Sequence, residues 1–195
     1  MANIDHKPSR YMLNLLHALP AFSDEANGVV NVIIEISPGS LNKYELITES
    51  GQLKLDRVGY SSMVHPFTYG AIPQTWDLDN DPLDIFITNV TEPLIPGSLV
   101  EARIIGGMKF IDDGEVDDKI IAVLADDKRV SHLKSVDDLG DYFKTQTKYF
   151  WENYKALKKP GTGKVSEFID TPHSIEVVKE SMVRYEKDYK PRLTD

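Results

Sequence analysis

The chain has 195 residues, 41% hydrophobic and 27% charged, with a formal net charge of −9 at pH 7. That length and balance point to one folded globular domain rather than a disordered, fibrous or membrane chain, and the acidic excess opposes non-specific attraction to nucleic acid or anionic lipid, both of which need a basic face. The chain has no cysteine, which excludes disulfides, thiolate zinc sites, iron–sulfur clusters and cysteine nucleophiles, so any metal must be held by oxygen or imidazole.

Residues 1–28 are polar and mixed, and YMLNLLHALPA is broken by Asn14 and His17 with only a weak basic flank, unlike a targeting segment. No run approaches the roughly 20 apolar residues of a membrane span, and a cytoplasmic location is expected. A short helix is expected around Tyr11 to Leu19, ended by Pro20. From there to about residue 125 the pattern is that of strands. VVNVIIEIS places Val30, Val32, Ile34 and Ile36 on one face and Ile33 and Glu35 on the other. KYELITES and GQLKLDRV read as a hairpin about Ser50-Gly51, with Lys43, Glu45 and Ile47 sharing a face. MVHPFTYGAIP, LDIFITNV, GSLVEARIIGG, MKFIDDGEV and DKIIAVLA follow as short strands between Gly, Pro and Asp turns, the spacing of a barrel or sandwich.

After residue 130 the period becomes helical. Leu139, Tyr142, Phe143, Gln146, Phe150, Tyr154 and Leu157 recur at helical spacing until KKPGTGK stops the helix. A second helix is expected to begin with Thr171 as N-cap and Pro172 at N1, carrying Ile175, Val178, Met182, Tyr185 and Tyr189 along one stripe. The expected organisation is a single domain, 1–195, with an N-terminal extension at 1–28, a β-rich body at 29–130 and a helical region at 131–195, hence an α+β fold.

The segment DLDNDPLDIF carries most of the chemical information, with Asp77, Asp79, Asp81 and Asp84 crowded at the start of an apolar strand. Carboxylates about 4 Å apart repel by about 4 kcal/mol at an effective dielectric of 20, so a folded cluster needs cations. Pro82 makes the approach irregular, and a strand from Leu83 to Thr88 turns Leu83, Ile85 and Ile87 to the core and Asp84 away from it. Asp79 and Asp81 project to one side if the backbone is extended. A second acidic run, DDGEVDDK, puts Asp117 and Lys119 on one face and Asp118 and Ile120 on the other. Taken alone, such a run is ordinarily a solvated loop, and single residues such as Lys43, Arg57 or Lys155 are ordinarily surface charges. The five histidines form no ligand-like pair, so an all-oxygen site for magnesium, manganese or calcium is the better match to these residues. A calcium EF-hand fails, because Pro82 stands where the glycine belongs and Thr88 where the bidentate glutamate belongs. No GxSxG elbow, Walker A loop or GxGxxG is present. Magnesium bridging protein carboxylates to a phosphate substrate is the reading these residues favour.

DNDPLD, Asp79 to Asp84, resembles the signature of the family I soluble inorganic pyrophosphatases. The resemblance extends in order through VIIEI with Glu35, KYEL with Lys43 and Glu45, LDRV with Arg57, YGAIP with Tyr69, DDGEVDDKIIAV, and ENYK with Tyr154 and Lys155, covering about residues 29–160. It implies an OB-like closed five-stranded β-barrel with additional strands and two main helices packed outside. By the same resemblance Asp79, Asp84 and Asp117 hold a tight metal site, Asp84 bridging to a second metal, and Asp112 with Asp117 holds a further magnesium. Glu35 and Glu45 belong to the metal cluster, Asp81 is the general base, and Lys43, Arg57, Tyr69, Lys119, Tyr154 and Lys155 bind phosphates. One departure is His65, where the family often has a tyrosine near the phosphate pocket; it supplies either a pH-dependent hydrogen bond or a structural substitution.

The implied reaction is magnesium-dependent hydrolysis of inorganic diphosphate to two phosphates, by direct in-line attack of a metal-activated water. Manganese or another divalent ion is expected to substitute and calcium to inhibit. The expected assembly is a homo-oligomer, a hexamer rather than a dimer, with pyrophosphate as substrate and neither nucleic acid nor membrane as partner. Two rival readings are an OB-like single-strand binder, which the acidic face opposes, and a phosphohydrolase acting on nucleotides, which needs room for a base.

Overall fold

The computed structural model describes residues 14–193. Asn14 caps a single helical turn, α1 (Leu15–Ala18), by accepting from the Leu16 N–H; the expected start at Tyr11 lies outside the described residues. β1 (Phe22–Asp24) then pairs with β2 (Val29–Ile36), so a strand occupies part of the segment read as an N-terminal extension. The hairpin about Ser50-Gly51 is present as β3 (Asn42–Leu46) and β4 (Leu53–Val58), a two-stranded sheet of its own.

The remaining strands build the body: β5 (Thr68–Ala71), β6 (Asp84–Ile87), β7 (Leu99–Asp112), β8 (Glu115–Val116) and β9 (Lys119–Leu124). Their order β2-β5-β6-β9-β7 returns to β2 through a β2–β7 pairing, which closes a ring of five strands. All of its pairings are antiparallel except β6 with β9, which is parallel. Closure removes the exposed edges that an open sheet must protect.

Both faces of the ring are buried, and the period of two separates them. Along β9, Ile120 and Ala122 join Ile85 and Ile87 against Val177 and Val178, whereas Ile121 and Val123 join Phe86 on the side of Phe143, Phe150 and Trp151. The two sets of packing residues come from α3 (Thr171–Arg184) and α2 (Gly140–Asn153), the two main helices outside the barrel. In α2 the buried residues are Phe143, Thr147, Phe150 and Trp151, while Tyr142 and Leu157, expected on the apolar stripe, are 78% and 75% exposed.

Four local expectations change. Ile36 does not share a face with Val30, Val32 and Ile34, because the register with β5 shifts between Ile34 and Ile36 and carries Ile36 to the Phe86 side. GSLVEARIIGG and the MKFID of MKFIDDGEV form one strand, β7, whose register with β9 slips between Ile104 and Gly106, while Glu115 and Val116 turn back on it as β8. Gly106 sits at φ +152, a backbone state that side chains rarely adopt, and so bends the strand where the glycine pair reads as a turn. β10 (Gly163–Ile169) lies within the region read as helical and pairs with β7. The N-cap of α3 is Asp170 rather than Thr171, its carboxylate accepting from the His173 N–H at 2.9 Å.

β5 packs tightly on β2 at Gly70, where an added Cβ would lie 2.2 Å from the Ile33 carbonyl oxygen. Gly70→Ala is therefore expected to destabilise by about 1–3 kcal/mol through forced separation of the strands. Urea denaturation measures it, and an unchanged midpoint would contradict this packing.

Candidate active site

The acidic segment is a turn, not an extended arm. The Asp77 N–H donates to the Asp81 carbonyl at 2.7 Å and the Asn80 N–H to the Asp77 carbonyl at 3.2 Å, while the Asp81 N–H donates to the Asp79 carboxylate at 3.2 Å. Asn80 takes φ +67, a left-handed state that Asn tolerates better than most residues. Asp79 and Asp81 thus reach one cleft by way of a tight turn and not by alternation along a strand. Asp77 is neither a solvated nor a simple capping residue: it is 4% exposed and accepts from Arg184 Nη2 of α3 at 3.0 Å. Its pKa is pushed up to about 6 by burial, against the opposing Leu78 N–H and Arg184.

Asp84 opens β6, and the parallel register sets it beside Lys119, the first residue of β9. Lys119 Nζ donates to both Asp84 and Asp117. Lys119 is 1% exposed, and burial alone would lower its pKa; Asp117 and Asp84 overcome that and raise it, so the ammonium stays charged. Tyr69, on β5, donates its hydroxyl to Asp84. Burial, then the charge of Asp84, raises the Tyr69 pKa well above the ordinary phenol value and keeps it a donor. Lys43 bonds Glu45 on β3, and Lys43 pairs in register with Arg57 on β4. At the end of β7, Asp112 accepts from Lys155 and from the Tyr154 hydroxyl at 3.4 Å.

These groups surround a cleft of about 390 Å³ whose lining includes every expected site residue except Arg57 and Lys155. Those two stand behind it, Lys155 on Asp112 and Arg57 donating to Asp56 at 2.7 Å. Glu115, Asn80, His65 and Trp151 also line the cleft. None of these four belonged to the expected ligand set; for Glu115 the signal was its place in the second acidic run.

The carboxylates repel one another as their crowding requires. Glu35, 5% exposed and accepting from the Leu46 N–H at 2.8 Å, has its pKa raised well above the usual range by burial, then by Asp84. Asp79 is pushed up to about 8 by burial together with Asp117 and Asp84. Asp81 has exposed surface at the rim, yet the walls displace enough solvent from its carboxyl, with Asp84 and Glu45 adding repulsion, to push it to about 7. Asp118 faces away from the cleft but is not solvated. It is 5% exposed, bonded to Lys109 at 2.5 Å and to the Phe110 N–H at 3.3 Å.

Among the described residues, no three His, Cys, Asp or Glu side chains are drawn into one group that could hold a metal; lysines are interleaved between the carboxylates instead. The donor set nevertheless fits a hard dication. It is all oxygen, it is over-supplied with negative charge, and Asp112 Oδ1 is buried without a partner. Arg57 Nη2 is likewise buried and unpartnered, a donor available to an anion.

His65 is buried, edge-on to Phe150 with ring centroids 5.3 Å apart. Burial, then Lys43 and Arg57, lowers its pKa to about 4, so the ring is neutral near pH 7. That favours the structural substitution over the pH-dependent hydrogen bond.

Comparison with known proteins agrees with this fold. A family model described as inorganic pyrophosphatase matches residues 32–186. An inorganic pyrophosphatase of Haemophilus influenzae is 43% identical over 159 residues, 81% of this chain and 90% of that protein. A soluble inorganic pyrophosphatase of Zea mays is 42% identical over 161 residues, 83% of this chain and 74% of that one. The crystal structure of an inorganic pyrophosphatase from Neisseria gonorrhoeae superposes with a TM-score of 0.84 at 40% identity, over 89% of this chain and 99% of that one. One from Thermus thermophilus gives 0.82 at 39% identity, over the same 89% and 99%. This chain belongs to the inorganic pyrophosphatase family, within its family I. It is thereby an enzyme of the hydrolase class.

A buried histidine whose folded pKa lies below its unfolded value contributes stability that is lost as pH falls from about 6.5 toward about 4. His65→Phe is expected to remove this component, so that the variant gains stability relative to wild type across that window in chelator-treated protein. Paired urea denaturations at several pH values measure it, and a pH-independent difference would contradict the assignment.

Proposed function

We propose that this chain hydrolyses inorganic diphosphate to two phosphates in a magnesium-dependent, direct in-line attack by water. The supporting observation is the single cleft in which Asp79, Asp84, Asp112 and Asp117 stand among Lys43, Lys119 and Tyr154, on a chain of this family. Anionic ligands for a dication and cationic ligands for a polyanion are interleaved there.

Asp79, Asp84 and Asp117, with Asp112, Glu35 and Glu45, would hold magnesium, and manganese would replace it where calcium would inhibit. Bound metal supplies Lewis acidity and lowers the pKa of water for attack on phosphorus. Asp81, at the rim of the cleft, is the general base that orients or deprotonates the nucleophile. Lys43, Arg57, Lys119 and Lys155 neutralise charge on the phosphate oxygens, Arg57 through a fork suited to two oxygens at once. Tyr69 and Tyr154, whose pKa values are raised by burial and by their acidic neighbours, remain hydrogen-bond donors. With dications held by the carboxylates, the lysines would be free to exchange carboxylate partners for phosphate partners.

The enzyme is expected to act in the cytoplasm as a homo-oligomer, a hexamer rather than a dimer. Among the described residues no helix is long and apolar enough to cross a membrane. The acidic lining opposes single-stranded nucleic acid, which needs a basic groove with stacking aromatics.

Phosphate release from pyrophosphate is expected with magnesium and not with chelator, and nucleoside triphosphates under the same conditions should yield little. No release with any divalent ion, or faster release from triphosphates, would overturn the proposal. Asp84→Asn should lose turnover on the order of 10²-fold or more. Asp118→Asn should keep turnover near wild type while modestly lowering the unfolding midpoint, because the partly exposed Lys109 loses the counter-charge of the buried Asp118. Equal turnover in Asp84→Asn at saturating magnesium would refute the metal assignment.

A further inference from the structure

We infer that Arg184 is a positioning residue for the acidic turn: from the end of α3 it fixes the backbone at Trp76 and Asp77 and thereby the directions in which Asp79 and Asp81 enter the cleft. The inference rests on the reading of that cleft as the working site, but its geometry is independent of substrate.

The guanidinium makes three bonds behind the turn. Nε donates to the Trp76 carbonyl at 2.9 Å, and Nη2 donates to the Asp77 carboxylate at 3.0 Å and to the Ser181 hydroxyl at 2.8 Å. The helix also receives a bond in return, from the Trp76 N–H to the Ser181 carbonyl at 2.9 Å. Just beyond Arg184, the Tyr189 ring lies tilted against Trp76 with centroids 4.3 Å apart, and the Arg192 guanidinium lies 5.7 Å from the same indole. Asp77 consequently serves two connections: its side chain is held by the helix, while its N–H and carbonyl close the turn onto Asp81 and Asn80.

The turn needs such an anchor. Its side toward the cleft carries Asp79 and Asp81, which face the charges of Asp84, Asp117 and Glu45. Like charges push the turn outward. Leu78 and Asn80 in the turn are exposed, and no β-strand lies between Ile72 and Leu83. The bonds from α3 oppose the outward push from behind, so the C-terminal helix sets the position of two carboxylates that it does not touch.

Hydrogen–deuterium exchange on the full chain, without substrate, tests this. In Arg184→Gln the amides of residues 77–84 should exchange roughly tenfold faster, those of β2 and β7 should be unchanged, and magnesium affinity measured by calorimetry on folded protein should fall several-fold. Arg184→Lys keeps the charge but not the planar fork, and should lie between. Exchange at 77–84 and magnesium affinity both at wild-type values in Arg184→Gln would overturn the inference. So would acceleration spread evenly over the sheet, the mark of a purely global stabiliser. Neither readout depends on whether wild-type protein releases phosphate, so failure of the hydrolysis proposal and failure of this one are distinguishable.

Discussion

The structure depends on how a group of mutually repelling carboxylates is held at one end of a β-barrel. Lys119 is the central compensation. It is 1% exposed, and an ammonium so deep would lose its proton without counter-charges; Asp84 and Asp117 provide them. The pairing works in both directions, because the two aspartates would repel across the cleft without the lysine. Around this centre Lys43 with Glu45 and Lys155 with Asp112 repeat the arrangement at lower burial. The cleft is an alternating lattice of charge whose anions suit metal ions and whose cations suit phosphate, and a dication with a polyanionic substrate can enter it without net charge being stranded.

Barrel closure makes that arrangement rigid. Lys119 meets Asp84 because β6 and β9 are parallel neighbours in register, each starting at the same end of the ring. Tyr69 reaches the same carboxylate from β5, which packs tightly on β2 through Gly70. The register shift in β2 lies beside Glu35, whose carboxylate accepts the Leu46 N–H and ties the β3–β4 hairpin to the barrel. Lys43 and Glu45 are thereby carried to the cleft, with Arg57 paired beside Lys43, by a sheet that is otherwise separate. Strands position Glu35, Asp84 and Asp112, the short link between β8 and β9 positions Asp117, and one turn, braced by α3, carries Asp79 and Asp81.

Much of this was legible in the amino-acid order wherever the determinant was local. Alternation identified β2, an apolar run between turn residues identified β9, the Ser50-Gly51 turn identified the hairpin, and the crowding of Asp79, Asp81 and Asp84 marked the segment that enters the cleft. Features set by partners far along the chain were not. Gly106-Gly107 reads as a turn, yet pairing with β9 and β10 keeps β7 continuous through it. Residues 163–169 show no strand signal of their own and are extended because β7 offers a free edge. Asp77 resembles its three neighbours in sequence, and only Arg184, 107 positions away, separates its role from theirs. Asp118 was correctly read as facing away from the cleft, but its burial against Lys109 depends on the β7–β9 register. Alternation also assigned Asp79 and Asp81 to one side on the premise of an extended chain; the left-handed Asn80 brings them to the cleft by another route.

If these interleaved charges form one site for dications and a diphosphate group together, calorimetric titration of the intact protein with imidodiphosphate, a diphosphate analogue with a nitrogen bridge, should show saturable binding that requires magnesium and is lost in Asp84→Asn. Binding that is equally tight without magnesium, or unaltered in Asp84→Asn, would contradict a shared site.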